Sequence, residues 1–326
     1  MRRFLTLSII ILSLYEFLSI LKLFYIINSA KIKSENQYMI GEKNFMRTEK
    51  EVLSVFKKWA KEKDFIRAAI LTSSRAKPAG EIDFLSDYDI ELYVTDLSIF
   101  KKDDSWLEPF GPIMVRWPYK PRSTGFKPGN WITRLILFKD GVRIDFQITD
   151  QQQIEPDAYD NGYKVLIDKD QLTGQLAEPT YSEYIINKPG REEFETLVNE
   201  FWWNAYYVPK YLWREEITFA KYMLDNILRY SYLHKIIDWY IGMENDWSVE
   251  TGALGKNFKD YLEPETWADL EETYTGADIE ANWKAFFKMT DLFRRLAKEV
   301  TNELGYEYPD EVDQEVMEFC KMIILK

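Results

Sequence analysis

Residues Asp87 to Val94 read Asp-Tyr-Asp-Ile-Glu-Leu-Tyr-Val, an alternation that restricts the fold more than any other stretch of the chain. Successive side chains of a β-strand point to opposite faces, so Asp87, Asp89 and Glu91 share one face and Ile90, Leu92 and Val94 the other. Such a strand needs a core against its apolar face. On its polar face, two carboxylates one step apart repel each other and raise one pKa. A divalent cation is the common remedy. Paired hard oxygen ligands suit magnesium, which keeps several waters and is completed by substrate phosphates. The plainer reading is a solvated strand end with ordinary acidic residues. Just upstream, Ser73, Ser74 and Arg75 supply hydroxyls, backbone N–H groups and a guanidinium able to cradle phosphate oxygens, which favours the metal reading.

A third acid follows in a hairpin pattern. Arg134 to Phe138 reads as a strand, Lys139-Asp140-Gly141 as a turn, and Val142 to Ile148 as the return strand. In the return strand Val142, Ile144, Phe146 and Ile148 share one face, and Arg143, Asp145 and Gln147 the other. Asp145 comes up beside Asp87 and Asp89 if the two strands are neighbours.

A small residue and a serine, a gap, Asp-x-Asp opening a strand, then one Asp on a later strand is a pattern that resembles the DNA polymerase beta-like nucleotidyltransferases. More narrowly, Met46-Arg47-Thr48-Glu49-Lys50, Asp87-Tyr88-Asp89-Ile90, Gly129-Asn130-Trp131, Asn199-Glu200-Phe201-Trp202 and Gly255-Lys256-Asn257 resemble the aminoglycoside 6-adenylyltransferases, the streptomycin-modifying enzymes. The likeness runs from Met46 nearly to the end of the chain. It implies an α+β fold: an N-terminal nucleotidyltransferase domain with a mixed β-sheet flanked by helices, followed by a C-terminal α-helical bundle domain that binds substrate. The activity it implies is transfer of AMP from Mg-ATP to a hydroxyl of an aminoglycoside, the 6-hydroxyl of streptomycin, with release of pyrophosphate and antibiotic resistance as the outcome. Asp87, Asp89 and Asp145 would then be the catalytic and metal-binding acids, with Asp145 as metal ligand or general base. Ser73, Ser74 and Arg75, with Lys210 from the helical domain, would hold the ATP, and Glu200 and Glu216 would meet the cationic groups of the aminoglycoside. One position departs from the likeness, since that family commonly has Gly-Ser-Arg where this chain has Ser73-Ser74-Arg75, and losing the Gly costs backbone freedom at a phosphate contact. Two other functions fit the same residues: nucleotidyl transfer to another acceptor, such as a lincosamide or a protein, and regulatory nucleotide binding without turnover.

Composition agrees without deciding. The chain has 326 residues, 46% of them hydrophobic, which is enough for two domains with their own cores. A net charge of −12 argues against a nucleic-acid partner and suits a polycationic ligand, although acidity for solubility alone explains it as well. The single cysteine, Cys320, excludes an internal disulfide and a Cys-x-x-Cys metal site and points to a reducing compartment. Residues 1–45 differ from the rest: Met1-Arg2-Arg3 and an apolar run from Phe4 to Asn28 read as a membrane anchor, an uncleaved signal, or an upstream start for a protein that begins at Met46. The third reading is preferred, because the resemblance begins at Met46 and ATP-dependent chemistry belongs in the cytoplasm. Nothing in the sequence sets an oligomeric state.

Along the remaining chain, Thr48 and Glu51 form a capping box for a helix whose apolar face is Val52, Leu53, Phe56, Trp59 and Ala60. Ile66 to Leu71 reads as the strand delivering Ser73 and Ser74, and Asp96 to Trp106 as a short helix. Arg116 to Trp131, rich in Pro, Lys, Arg and aromatics, reads as an irregular loop at the rim of the site. Lys164 to Ile167 is a strand, with Asp168-Lys169-Asp170 a turn at its exit. The pattern turns helical from Pro189. Domains of residues 46–180 and 181–326 follow. Phe219, Tyr222, Met223, Asn226, Ile227 and Tyr230 fit one helical stripe, and Ile279, Trp283, Phe286, Phe287, Leu292, Phe293 and Leu296 another. His234, the only histidine, lies in an apolar helical stretch and is assigned no role.

Overall fold

A computed structural model of the chain describes residues 46–77, 82–120, 127 and 129–326. The leader reading of residues 1–45 and part of the expected loop between Arg116 and Trp131 lie outside the described residues. Among those residues no helix is long and apolar enough to cross a membrane. The chain divides into two compact units between Ala177 and Glu178.

The first unit is a six-stranded mixed sheet of order β3-β4-β5-β2-β1-β6. Its strands are β1 (Ile66–Thr72), β2 (Tyr88–Val94), β3 (Ile113–Trp117), β4 (Trp131–Phe138), β5 (Arg143–Thr149) and β6 (Lys164–Asp168). β2 and β5 run parallel at the centre, and every other pair is antiparallel. The hairpin between β4 and β5 closes at Gly141, whose φ of 85° suits a residue without Cβ. Helix α1 (Glu49–Glu62) starts at the expected capping box, with the Thr48 side chain accepting from the Glu51 N–H and the Glu51 carboxylate from the Thr48 N–H. Val52, Phe56 and Trp59 of α1 pack with Leu71, Ile90, Leu92, Val94, Ile144, Phe146 and Ile148 in one core, so the alternation of β2 and β5 sorts their apolar side chains as expected.

The opposite sheet face is not simply solvated. Beyond the aspartates it carries a second, smaller core in which Ala68, Ile70, Tyr93, Trp131, Ile154 and Tyr159 pack together. Tyr93 therefore faces away from Leu92 and Val94, and Glu91, two residues before it, is buried. Two local expectations are refined. The helix anticipated over Asp96 to Trp106 is a single turn, α2 (Ser98–Lys102), followed by a 3-10 segment Ser105–Phe110. Arg116 and Trp117 belong to edge strand β3 rather than to an irregular loop. Asp104 ties this region together through ion pairs to Arg134 at 2.9 Å and Arg116 at 3.1 Å. After β6, Asp168 accepts from the N–H groups of Asp170, Leu172 and Thr173, the turn expected there.

The second unit is helical, with α3 (Arg191–Ala205), α4 (Tyr207–Trp213), α5 (Ile217–Lys221), α6 (His234–Glu244), α7 (Phe258–Tyr261), α8 (Pro264–Glu272), α9 (Ile279–Leu304) and α10 (Asp310–Ile324). The stripe on α9 is as read: Phe286, Leu292, Phe293 and Leu296 are fully buried, and Ile279, Trp283 and Phe287 pack at the margin. The other stripe is not. Tyr222–Leu233 is a π-helical segment in which Met223, Leu224 and Leu228 are buried while Tyr222 and Tyr230 are exposed, as is Phe219 in α5 just before it. A wider turn shifts which positions stack above one another, so a period of about 3.6 residues picks the wrong face. Together these units form the α+β arrangement expected, a mixed sheet with flanking helices followed by a helical region.

Candidate active site

β1 ends at Thr72 and the chain enters a four-residue 3-10 turn, Ser73–Ala76. Ser73 takes a φ of 60°, the left-handed conformation that L residues adopt at a cost of about 1–2 kcal/mol. Ser73 thus holds a conformation that glycine adopts without that cost. The bend puts the Ser73 hydroxyl in a hydrogen bond to the Asp89 carboxylate.

Asp89 and Asp145 are direct register partners on the parallel strands β2 and β5. Burial is the main cause that pushes the Asp89 carboxyl up to about 6, with the Asp145 and Asp87 charges adding to it and the Ser73 hydrogen bond opposing it. Asp87 is raised as well, by burial first, with Arg143 pulling it down and Asp145 pushing it up. The three acids singled out by pattern are therefore electrostatic neighbours, and burial disfavours the charged form of both Asp87 and Asp89.

Arg143 is the group the pattern placed on this face without a role. Its guanidinium reaches Asp87 at 3.1 Å and grips Asp145 with two hydrogen bonds of 2.9 and 2.6 Å. The signal for it was present in the alternation Arg143, Asp145, Gln147. As the side chains stand, no three His, Cys, Asp or Glu groups among the described residues are arranged to share one metal ion. The donor chemistry still fits magnesium: hard carboxylate oxygens, partly buried and side by side, with Arg143 supplying positive charge to two of them. Its side chain is 43% exposed and free on one side to withdraw into water.

Arg75 is held by protein groups. It is 4% exposed, and its guanidinium donates to the Ser86 carbonyl at 2.7 Å, the Asp87 carbonyl at 3.0 Å and the Glu49 carboxylate at 3.0 Å while lying 3.9 Å over the Tyr88 ring. Its donors are engaged by the loop that carries Asp87 and by Glu49 of α1, so it shapes the site around Asp87. Ser74 is half-buried in the same turn.

The remaining candidates lie in the helical unit. The Lys210 ammonium sits 5.8, 5.5 and 5.3 Å from the ring centres of Tyr206, Tyr207 and Tyr211. Glu200 is exposed and accepts from the Tyr232 hydroxyl, and Glu216 is exposed at the entry to α5. His234 is buried between Tyr230 and Phe258.

Comparison with known proteins extends this picture. An aminoglycoside 6-adenylyltransferase from Bacillus subtilis (strain 168) is 35% identical over 268 residues, which is 81% of this chain and 94% of that protein. Proteins of the same name from Campylobacter jejuni and Staphylococcus aureus are 34% and 31% identical, again over 81% of this chain and over 92% and 95% of their own lengths. A solved structure titled as an aminoglycoside 6-adenyltransferase from Bacillus subtilis is 32% identical, covers 86% of this chain and 100% of its own, and superposes with a TM-score of 0.44. The family model described as streptomycin adenylyltransferase matches residues 46–323, and with that span of the chain and these identities the chain belongs to the streptomycin adenylyltransferase family and is an adenylyltransferase.

Proposed function

We propose that this enzyme transfers AMP from Mg-ATP to a hydroxyl of an aminoglycoside, the 6-hydroxyl of streptomycin, and releases pyrophosphate. The observation that carries this reading is the in-register pair Asp89 and Asp145 on adjacent parallel strands, with Asp87 beside them, in a member of this family. The attacking hydroxyl oxygen forms a bond to the α-phosphorus of ATP, the bond from that phosphorus to the bridging oxygen of the β-phosphate breaks, and the hydroxyl proton passes to a carboxylate. Asp87 and Asp89 would hold magnesium, which supplies charge neutralisation along the phosphates as pyrophosphate departs. Asp145 completes that set of ligands or takes the proton, since its carboxylate adjoins Asp89 in either role. Ser73 keeps Asp89 oriented through its hydroxyl, and Arg75 keeps Asp87 in place by gripping the backbone around it. Lys210 is assigned to the triphosphate and Glu200 and Glu216 to the cations of the acceptor.

The left-handed Ser73 bears on the non-catalytic alternative, whose support was the missing glycine. Ser73 reaches a backbone region open to glycine, which weakens that support. Purified protein with streptomycin, ATP and magnesium tests the proposal: pyrophosphate release that needs all three supports it, and hydrolysis or binding without transfer rejects it.

A further inference from the structure

The sheet face that carries Asp87 and Asp89 continues to Glu91, a buried carboxylate that AMP transfer does not use. Glu91 is 5% exposed and accepts a 2.7 Å hydrogen bond from the Tyr159 hydroxyl, which shares another of 2.7 Å with the Tyr93 hydroxyl. Lys127 forms an ion pair with Glu91, and its ammonium lies 4.6 Å from the Trp131 ring centre and 6.0 Å from that of Tyr159. Tyr93 and Trp131 meet edge to face at 5.9 Å. A cavity of about 220 Å³ opens at this point, with Glu91, Tyr93, Lys127, Trp131, Glu155 and Tyr159 in its wall.

A carboxylate at the back of an aromatic box, with an ammonium already seated over two ring faces, is the arrangement that recognises an organic cation. The two halves of the ion pair are unequally anchored. The Glu91 side chain is 7% exposed, whereas that of Lys127 is 39% exposed, so the cation is the member that water can take back. Alternate residues on one strand face stand about 7 Å apart, the scale of one substituted six-membered ring. A molecule whose hydroxyl lies at Asp89 could therefore place a cationic substituent of the same ring at Glu91.

Resting on the reading that an aminoglycoside is the acceptor, we infer that this cavity is the subsite for one guanidinium or ammonium group of that acceptor. Glu91 is its counter-ion, Tyr159 and Trp131 are its walls, and Lys127 is an internal stand-in that the acceptor's cation displaces. A purely structural ion pair would give the opposite response to removing the lysine.

The test is calorimetric titration of streptomycin into the full chain and two variants, with melting curves taken alongside. Glu91→Gln keeps the shape and a partner for Tyr159, and is expected to weaken streptomycin binding at least tenfold while ATP binding stays at the wild-type value. Lys127→Met removes the competitor, and is expected to tighten streptomycin binding several-fold and to enlarge the rise in melting temperature that streptomycin causes. Wild-type affinity in Glu91→Gln, or weaker binding in a folded Lys127→Met, overturns the subsite while leaving the acceptor reading intact. Should Lys127→Met not fold, Glu91→Gln alone decides. If the wild-type chain binds neither streptomycin nor any other aminoglycoside, the acceptor reading itself fails and the subsite with it.

Discussion

Two residues beside the three acids decide how the site is held. Ser73 pays twice for its place, in a left-handed backbone and in the hydroxyl bond it must keep to Asp89. Separate substitutions divide those contributions: Ser73→Ala loses the hydroxyl and keeps the strain, and Ser73→Gly loses the hydroxyl and sheds it. The Gly variant should be the more stable of the two by about 1 kcal/mol in urea unfolding, and equal stabilities would refute the strain. Arg143 bridges Asp87 and Asp145, and a divalent cation must compete with it for those oxygens. Arg143→Gln should therefore bind manganese several-fold more tightly than wild type without nucleotide, as read by titration calorimetry. Unchanged affinity would show that the guanidinium does not compete. The acids themselves could be read from alternation and hairpin chemistry, because a strand's period of two fixes which side chains share a face. The packing around Glu91 could not, since Tyr159 comes from a loop between β5 and β6 whose sequence carries no periodicity.

At the level of elements, the loop before β2 depends on Arg75, and this sets it apart from the three acids. Arg75→Met strips partners from the Ser86 and Asp87 carbonyls and from Glu49. It should lower unfolding stability by about 3 kcal/mol and abolish transfer, whereas loss of activity at full stability would mean that Arg75 meets the nucleotide directly. In the helical unit the buried His234 has no hydrogen-bond partner at Nε2, and burial first, then the Arg229 charge, push its pKa down to about 4. A histidine depressed in the folded state favours folding above its unfolded pKa near 6.5 and loses that favour as pH falls toward 4. His234→Phe, which keeps the ring between Tyr230 and Phe258, should remove up to about 3 kcal/mol of the stability lost on acidification from pH 7 to pH 4.5, compared by urea midpoints. An acid response equal to wild type would contradict that placement. Helical periodicity located α9 but misjudged Tyr222–Leu233, where a π-helical course changes the repeat.

Across the whole molecule, the two units offer different chemistry. The sheet unit brings acids from two distant segments of chain onto one face, and the helical unit holds a lysine among three tyrosines and exposed glutamates. An excess of acid over base, with a net charge of −12, accords with a polycationic acceptor. The central claim is that Asp87, Asp89 and Asp145 act together to move AMP onto an aminoglycoside hydroxyl. Its most direct test is the mass spectrum of streptomycin after incubation with the protein, ATP and magnesium, set beside the same reaction with Asp89→Asn. The expected result is streptomycin heavier by one adenylyl group with wild type and unchanged with the folded variant; unmodified streptomycin with wild type, or equal modification by both proteins, would contradict it.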